Sequence, residues 1–155
     1  MQDRIEQEIT ISADLDRVWE LVTRPGWWVP SEVEVPPDRT PGSLTVRSSE
    51  KWGRFVVEVV ELRPKTYAAF RWASEFPGEE PGPGKTTLVE FFVQPADREG
   101  REGAEGAVSV TVVESGFAAL DLPEGRRAAA LEDNTGGWRE ELARLRGQAL
   151  RPPAP

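Results

Sequence analysis

The feature that most restricts this fold is a long apolar stripe near the carboxyl end. Leu131, Thr135, Trp138, Leu142, Leu145 and Ala149 recur at spacings of 4, 3, 4, 3 and 4, the repeat of one helical face. Charged residues, among them Arg139, Glu140, Arg144 and Arg146, fall on the other side. The spacing predicts a helix over Glu124–Leu150, about 40 Å long at 1.5 Å per residue. In a chain of 155 residues, a rod of that length needs a broad apolar surface to lie on. Gly136 and Gly137 interrupt it and cost about 2 kcal/mol relative to two alanines, so a close backbone approach or a bend is expected there.

The surface is predicted upstream. Ile5, Ile9 and Ile11 share one face with Gln7 between them, an imperfect alternation that reads as a strand over Arg4–Ile11. Leu15, Val18, Trp19 and Val22 then follow helical spacing, with Ser12 or Asp14 as cap and Arg24-Pro25-Gly26 as stop. Residues 25–42 hold five prolines and two glycines, predicting a helical turn around Trp27 and Trp28 and then a loop. Five strands are expected over Leu44–Ser48, Gly53–Leu62, Thr66–Ala73, Thr86–Gln94 and Ala107–Glu114. Polar connections separate them at 77–84 and 96–106. The expected order is β-α(-α)-β5-α. Strands joined by short polar loops pair antiparallel, so the fold class is α+β: an antiparallel sheet of about six strands wrapped around the long C-terminal helix. Two surfaces of different curvature can enclose an apolar cavity. Residues 1–150 read as one domain and 151–155 (RPPAP) as a disordered tail.

Composition removes whole classes of function. The chain has no cysteine and no histidine, which excludes disulfides, Cys/His metal sites and nucleophilic catalysis through His. A net charge of −8 argues against nucleic-acid partners. No apolar run approaches the roughly 20 residues of a membrane span. The opening MQDRIEQEIT lacks the basic-then-apolar pattern of a secretory signal, so integral membrane association is not expected and a cytoplasmic setting is. The acidic runs at 79–80 and 97–105 lack calcium-loop spacing and read as solvated loops. No metal or cofactor is expected.

Four stretches together resemble a known family. They are Ile9, Ile11 and Ala13 leading into Arg17-Val18-Trp19-Glu20-Leu21-Val22-Thr23; Glu61-Leu62-Arg63-Pro64 with Phe70-Arg71-Trp72; Val112-Val113-Glu114-Ser115-Gly116-Phe117; and Gly137-Trp138-Arg139-Glu140-Glu141-Leu142 with Leu145. In order and spacing across residues 4–150 this resembles the SRPBCC superfamily (Bet v-type, START-like helix-grip proteins). Within it, the pattern is most similar to the AHSA-type branch, named after the activator of the heat-shock-protein-90 ATPase. The resemblance implies a helix-grip fold with a hydrophobic cavity between sheet and C-terminal helix. Superfamily members bind apolar molecules there, and some perform cyclase, hydrolase or dehydratase chemistry. No catalytic residue carries over.

Candidate site residues follow from the faces. Trp27, Trp28, Trp72, Phe91, Val110, Val112, Phe117, Trp138 and Leu142 are expected to line the cavity, or to be ordinary core. Neighbours such as Trp27 and Trp28 are not expected to face one core together, so one of them is read as a gate. Glu114 continues the face of Val108, Val110 and Val112; turned inward it is a candidate catalytic acid or base, and at the strand's mouth it meets water or an arginine. Glu58 and Glu61 read as lying on opposite faces of their strand, either one inward. Tyr67 is a candidate for the cavity rim or plain packing, and Arg71 for solvent. Val56 or Val57, Val113 and Trp52 are candidates for an apolar patch on the outer face of the sheet. The expected function is binding of a hydrophobic or amphipathic small molecule. The alternatives are a protein-interaction or chaperone-partner domain, homodimers included, and an enzyme using Glu114.

Overall fold

Alternating side chains make each strand two-faced, and the two faces meet different surroundings. The computed structural model describes residues 3–32, 36–96 and 107–151. Its elements are β1 (Arg4–Ile11), α1 (Leu15–Val22), β2 (Leu44–Ser49), β3 (Gly53–Arg63), β4 (Tyr67–Trp72), β5 (Thr87–Pro95), β6 (Val108–Ser115), a single 3₁₀ turn (Phe117–Ala119) and α2 (Glu124–Ala149). Asp14 is the cap of α1, accepting from the Arg17 amide at 2.8 Å. The optional second helix is only a hydrogen-bonded turn, Arg24 to Trp27 and Gly26 to Val29. Most of the connection expected at 96–106 and of the tail at 151–155 lies outside the described residues. Among those described, no helix is long and apolar enough to cross a membrane.

The six strands form one sheet in the order β1-β6-β5-β4-β3-β2, antiparallel at every pairing. Consecutive strands from β2 to β6 are neighbours, whereas β1 and β2 stand at opposite edges. Residues 12–43 therefore carry the chain from one edge to the other. That crossing brings α1 and the two tryptophans onto the face that α2 also covers. The core between them contains Ile5, Ile11, Val18, Phe70, Val89, Phe91, Val110, Val112, Phe117, Trp138, Leu142 and Leu145.

Two polar residues interrupt these apolar surfaces, and they meet. Gln7 on β1 donates to the Thr135 carbonyl of α2 at 2.7 Å, fixing the middle of the helix to the edge strand. Gly136 and Gly137 follow directly, and a Cβ built on either meets nothing within 4 Å. No close approach there accounts for them.

The strand faces correct one expectation. Register shifts between Val59 and Glu61, where β3 carries one residue more than β4. Val59 opposes Phe70 in the core, while Glu61 opposes Ala69 and Glu58 opposes Arg71 on the other side. This β-bulge resets the alternation. Both acids therefore face outward, and neither Glu58 nor Glu61 enters the core face.

Candidate functional site

Glu114 sits inside, without solvent exposure. Its carboxylate accepts from Trp138 Nε1 at 2.8 Å, Trp72 Nε1 at 2.9 Å, Thr87 Oγ1 at 2.6 Å and Asn134 Nδ2 at 3.2 Å. The donors come from α2, β4 and β5, so one acid ties three elements to β6. No arginine or water-facing mouth is involved. All four donors are neutral, and burial outweighs their hydrogen bonds, pushing the Glu114 carboxyl above its ordinary value.

Below this acid lies a cluster of rings. Trp28 contacts Phe70 at 5.5 Å, Trp138 at 5.6 Å and Trp72 at 5.7 Å between centroids. Trp27 contacts Phe91 at 5.4 Å and Trp138 at 6.2 Å, and the two indoles meet edge to face. Both are buried, Trp27 8% and Trp28 4% exposed. The expectation that neighbours cannot share one core fails for a physical reason. In a turn successive side chains diverge by about 100°, as in a helix, not by the 180° of a strand. Gly26 makes the turn possible with φ +75°, and its missing Cβ would lie 2.7 Å from Arg47 Cγ. Val110, Val112, Phe117 and Leu142 are likewise buried in the core.

The rings pack closely, but their polar atoms are not all matched. Trp27 Nε1 and Trp28 Nε1 are buried with no hydrogen-bond partner. An unmatched buried donor costs about 1–3 kcal/mol, and native interiors contain few of them.

A cleft of about 700 Å³ opens beside Trp27. Its walls are α1, the segment that follows it, β2 and the last turns of α2. Leu21, Pro25 and Trp27 supply apolar surface; Arg24, Arg39, Arg47 and Arg144 supply charge, with Glu20 among them. Arg24 Nη2 donates to Glu20 at 2.5 Å, and Arg39 also reaches Glu20 and Thr23 Oγ1, the latter at 2.8 Å. Arg144 donates to the Trp27 carbonyl at 3.1 Å and pairs with Glu141. A second, shallower groove of about 560 Å³ runs between β1 and α2, lined by Gln7, Leu131, Thr135 and Arg139 among others.

This architecture is found in solved structures. Protein MLL2253 from Mesorhizobium loti superposes with a TM-score of 0.66 at 20% identity, over 95% of this chain and 96% of that one. DynU16, from the dynemicin biosynthetic locus, gives a TM-score of 0.63 at 23% identity; 94% of this chain matches 46% of that one. The Aha1 dimer from Colwellia psychrerythraea gives 0.61 at 16% identity, covering 94% of each chain. The fold is a helix grip. No protein-family model matches the sequence, and no curated protein does. At these identities the likeness concerns the fold of the helix-grip domain.

Other sequence candidates fall elsewhere on the helix grip. Tyr67 lies on the outer face, where its hydroxyl donates to Glu90 at 2.5 Å, so it is not at a cavity rim. Arg71 is exposed as expected. Val56 and Val113 are buried on the outer face and Val57 belongs to the core, leaving Trp52 exposed at 56% without the expected patch. Thr87 and Asn134 were not anticipated as partners of Glu114. Extending the alternation of Val93, Phe91 and Val89 by one step points Thr87 inward, whereas Asn134 lies beside the apolar stripe and carries no such signal. The cleft arginines have none either, because each alone resembles a solvated charge.

Proposed function

We propose that this chain is a one-domain, cytoplasmic binding module of the AHSA type that takes up an amphipathic small molecule at the mouth of the grip. The observation that carries this reading is a cleft of about 700 Å³ with Trp27 in its wall and Trp28, Phe91 and Trp138 packed against that ring. Small-molecule sites commonly occupy about 300–1,000 Å³ and combine apolar walls with a few polar groups. Leu21, Pro25 and Trp27 give an apolar strip, while Glu20, Gln148 and the arginines make the greater part of the wall polar. Trp28, Trp72, Phe91 and Trp138 then form the packed floor behind Trp27, with Val110, Val112, Phe117 and Leu142 as the core beneath.

The test is tryptophan emission titrated with fatty acids, sterols and aromatic polyketides. The expected result is a saturable shift or quenching with at least one class, diminished in Trp27→Phe. Emission unchanged across all three classes overturns the reading.

Catalysis through Glu114 draws less support, because its oxygens already serve four internal donors. A protein-interaction or homodimer role draws on the exposed Trp52, Leu44 and Phe92 and on a dimeric structure of the same fold. Light scattering of the purified chain separates that role from a monomeric binder.

A further inference from the structure

We infer that the cleft recognises an anionic end group, a carboxylate or phosphate monoester, on the molecule it binds; this rests on the binding reading above and adds the charge of the ligand. The first argument is the local balance of charge. The whole chain carries −8, yet the described cleft wall sets Arg24, Arg39, Arg47 and Arg144 against the single carboxylate of Glu20. With Arg47 set aside, since its Nε donates to the Val29 carbonyl at 3.0 Å, and Glu141 counted beside Glu20 because it pairs with Arg144, three guanidiniums still face two acids.

The second argument is the balance of donors and acceptors. Guanidinium groups only donate, and each presents five N–H bonds in a planar fork suited to carboxylate and phosphate oxygens. Arg24 uses Nε and Nη2 on Glu20, and Arg39 uses Nε and Nη2 on Thr23 and Glu20. Arg144 uses Nη2 on the Trp27 carbonyl and Glu141. A wall so rich in donors and poor in acceptors selects a ligand that brings oxygens and negative charge.

Glu20 already models the interaction. Its carboxylate lies between Arg24 and Arg39, as an incoming anion would. Partial burial pushes its carboxyl up, but the hydrogen bonds and charges of Arg24 and Arg39 prevail and hold it below its ordinary value. The cleft therefore favours an ionised acid over a neutral one.

The experiment compares dodecanoate and dodecyl phosphate, each below its micelle concentration, with dodecan-1-ol below its solubility limit, by tryptophan emission and calorimetry on the full chain. Dodecanoate or dodecyl phosphate is expected to bind at least tenfold more tightly than the alcohol, and the preference should shrink in high salt. The stronger of the two identifies the preferred head group. Arg24→Gln and Arg144→Gln should each weaken the anion several-fold and leave the alcohol unchanged. Glu20→Gln, which releases two guanidiniums, should strengthen the anion several-fold, a gain that misfolding cannot imitate. Equal affinity for alcohol and anions, or anion binding indifferent to all three substitutions, overturns the charge inference and leaves the binding reading intact. Absence of binding by all three probes overturns this inference, and the polyketide and sterol titrations then decide the binding reading separately.

Discussion

The two ends of the aromatic cluster handle polar groups in opposite ways. At the Glu114 end, one acid meets donors from Trp72, Thr87, Asn134 and Trp138, and solvent is excluded. At the Trp27 end, arginines outnumber carboxylates and the Trp27 indole N–H has no acceptor. Both ends combine charge with tryptophan; they differ in whether the hydrogen bonding closes on itself. A closed network fastens elements together, whereas an open one retains capacity for something outside the chain. The same residue types therefore serve cohesion at one end and recognition at the other.

The contrast can be broken experimentally, and the largest effect is expected at Trp138. Its ring is 3% exposed, touches Trp27, Trp28 and Phe91, and donates to Glu114. Trp138→Ala should cost about 3–5 kcal/mol in urea unfolding. A loss nearer 1 kcal/mol, the range of a poorly packed site, would mean that the ring borders open space and that the closed end is not closed.

Glu114→Gln comes next. It replaces an acceptor oxygen with an amide that faces donors, at a cost of about 1–3 kcal/mol near pH 5. The pH trend sharpens the comparison. Burial raises the folded-state pKa of Glu114 above its ordinary 4.5, so the native state holds this proton more firmly than the unfolded chain does. The stability it confers is complete below the unfolded pKa and declines as pH rises through the raised value. The variant lacks this decline, so its deficit should narrow with rising pH in parallel denaturant titrations. A deficit that widens would show the four donors prevailing over desolvation.

The smallest effect concerns the beam joining the two ends. Gly136→Ala and Gly137→Ala should each stabilise by about 1 kcal/mol, since the added Cβ meets nothing within 4 Å. Thermal unfolding measures this, and a decrease would reveal a bend that the helix needs.

Much of this fold was legible because its signals are local and periodic. β1 and α2 match their apolar repeats almost to the residue, and Asp14 announced the start of α1. Errors arose where a period was assumed to continue. Glu58 and Glu61 were assigned to opposite faces by unbroken alternation, but one extra residue in β3 turned both outward. Trp27 and Trp28 were held apart as neighbours in a Pro/Gly-rich segment, although the turn expected there, and found, lets both enter one core. The inward direction of Glu114 followed from β6, while its partners depended on strand order and on where α2 crosses. The cleft was least visible, since Arg24, Arg39 and Arg144 meet only after the chain has crossed the whole sheet.

The surplus residue between Val59 and Glu61 has a consequence for how this architecture can diversify. A bulge concentrates bending and twist at one point of a strand, so it influences how far the sheet curls over its helix. Because Glu61 then opposes Ala69 and Leu62 opposes Ala68, the same extra residue also resets which β3 side chains face inward. Shape and lining are thereby coupled traits at this point, and a lineage of such domains that moved or lost the bulge would alter the width of the opening and the lettering of the interior together.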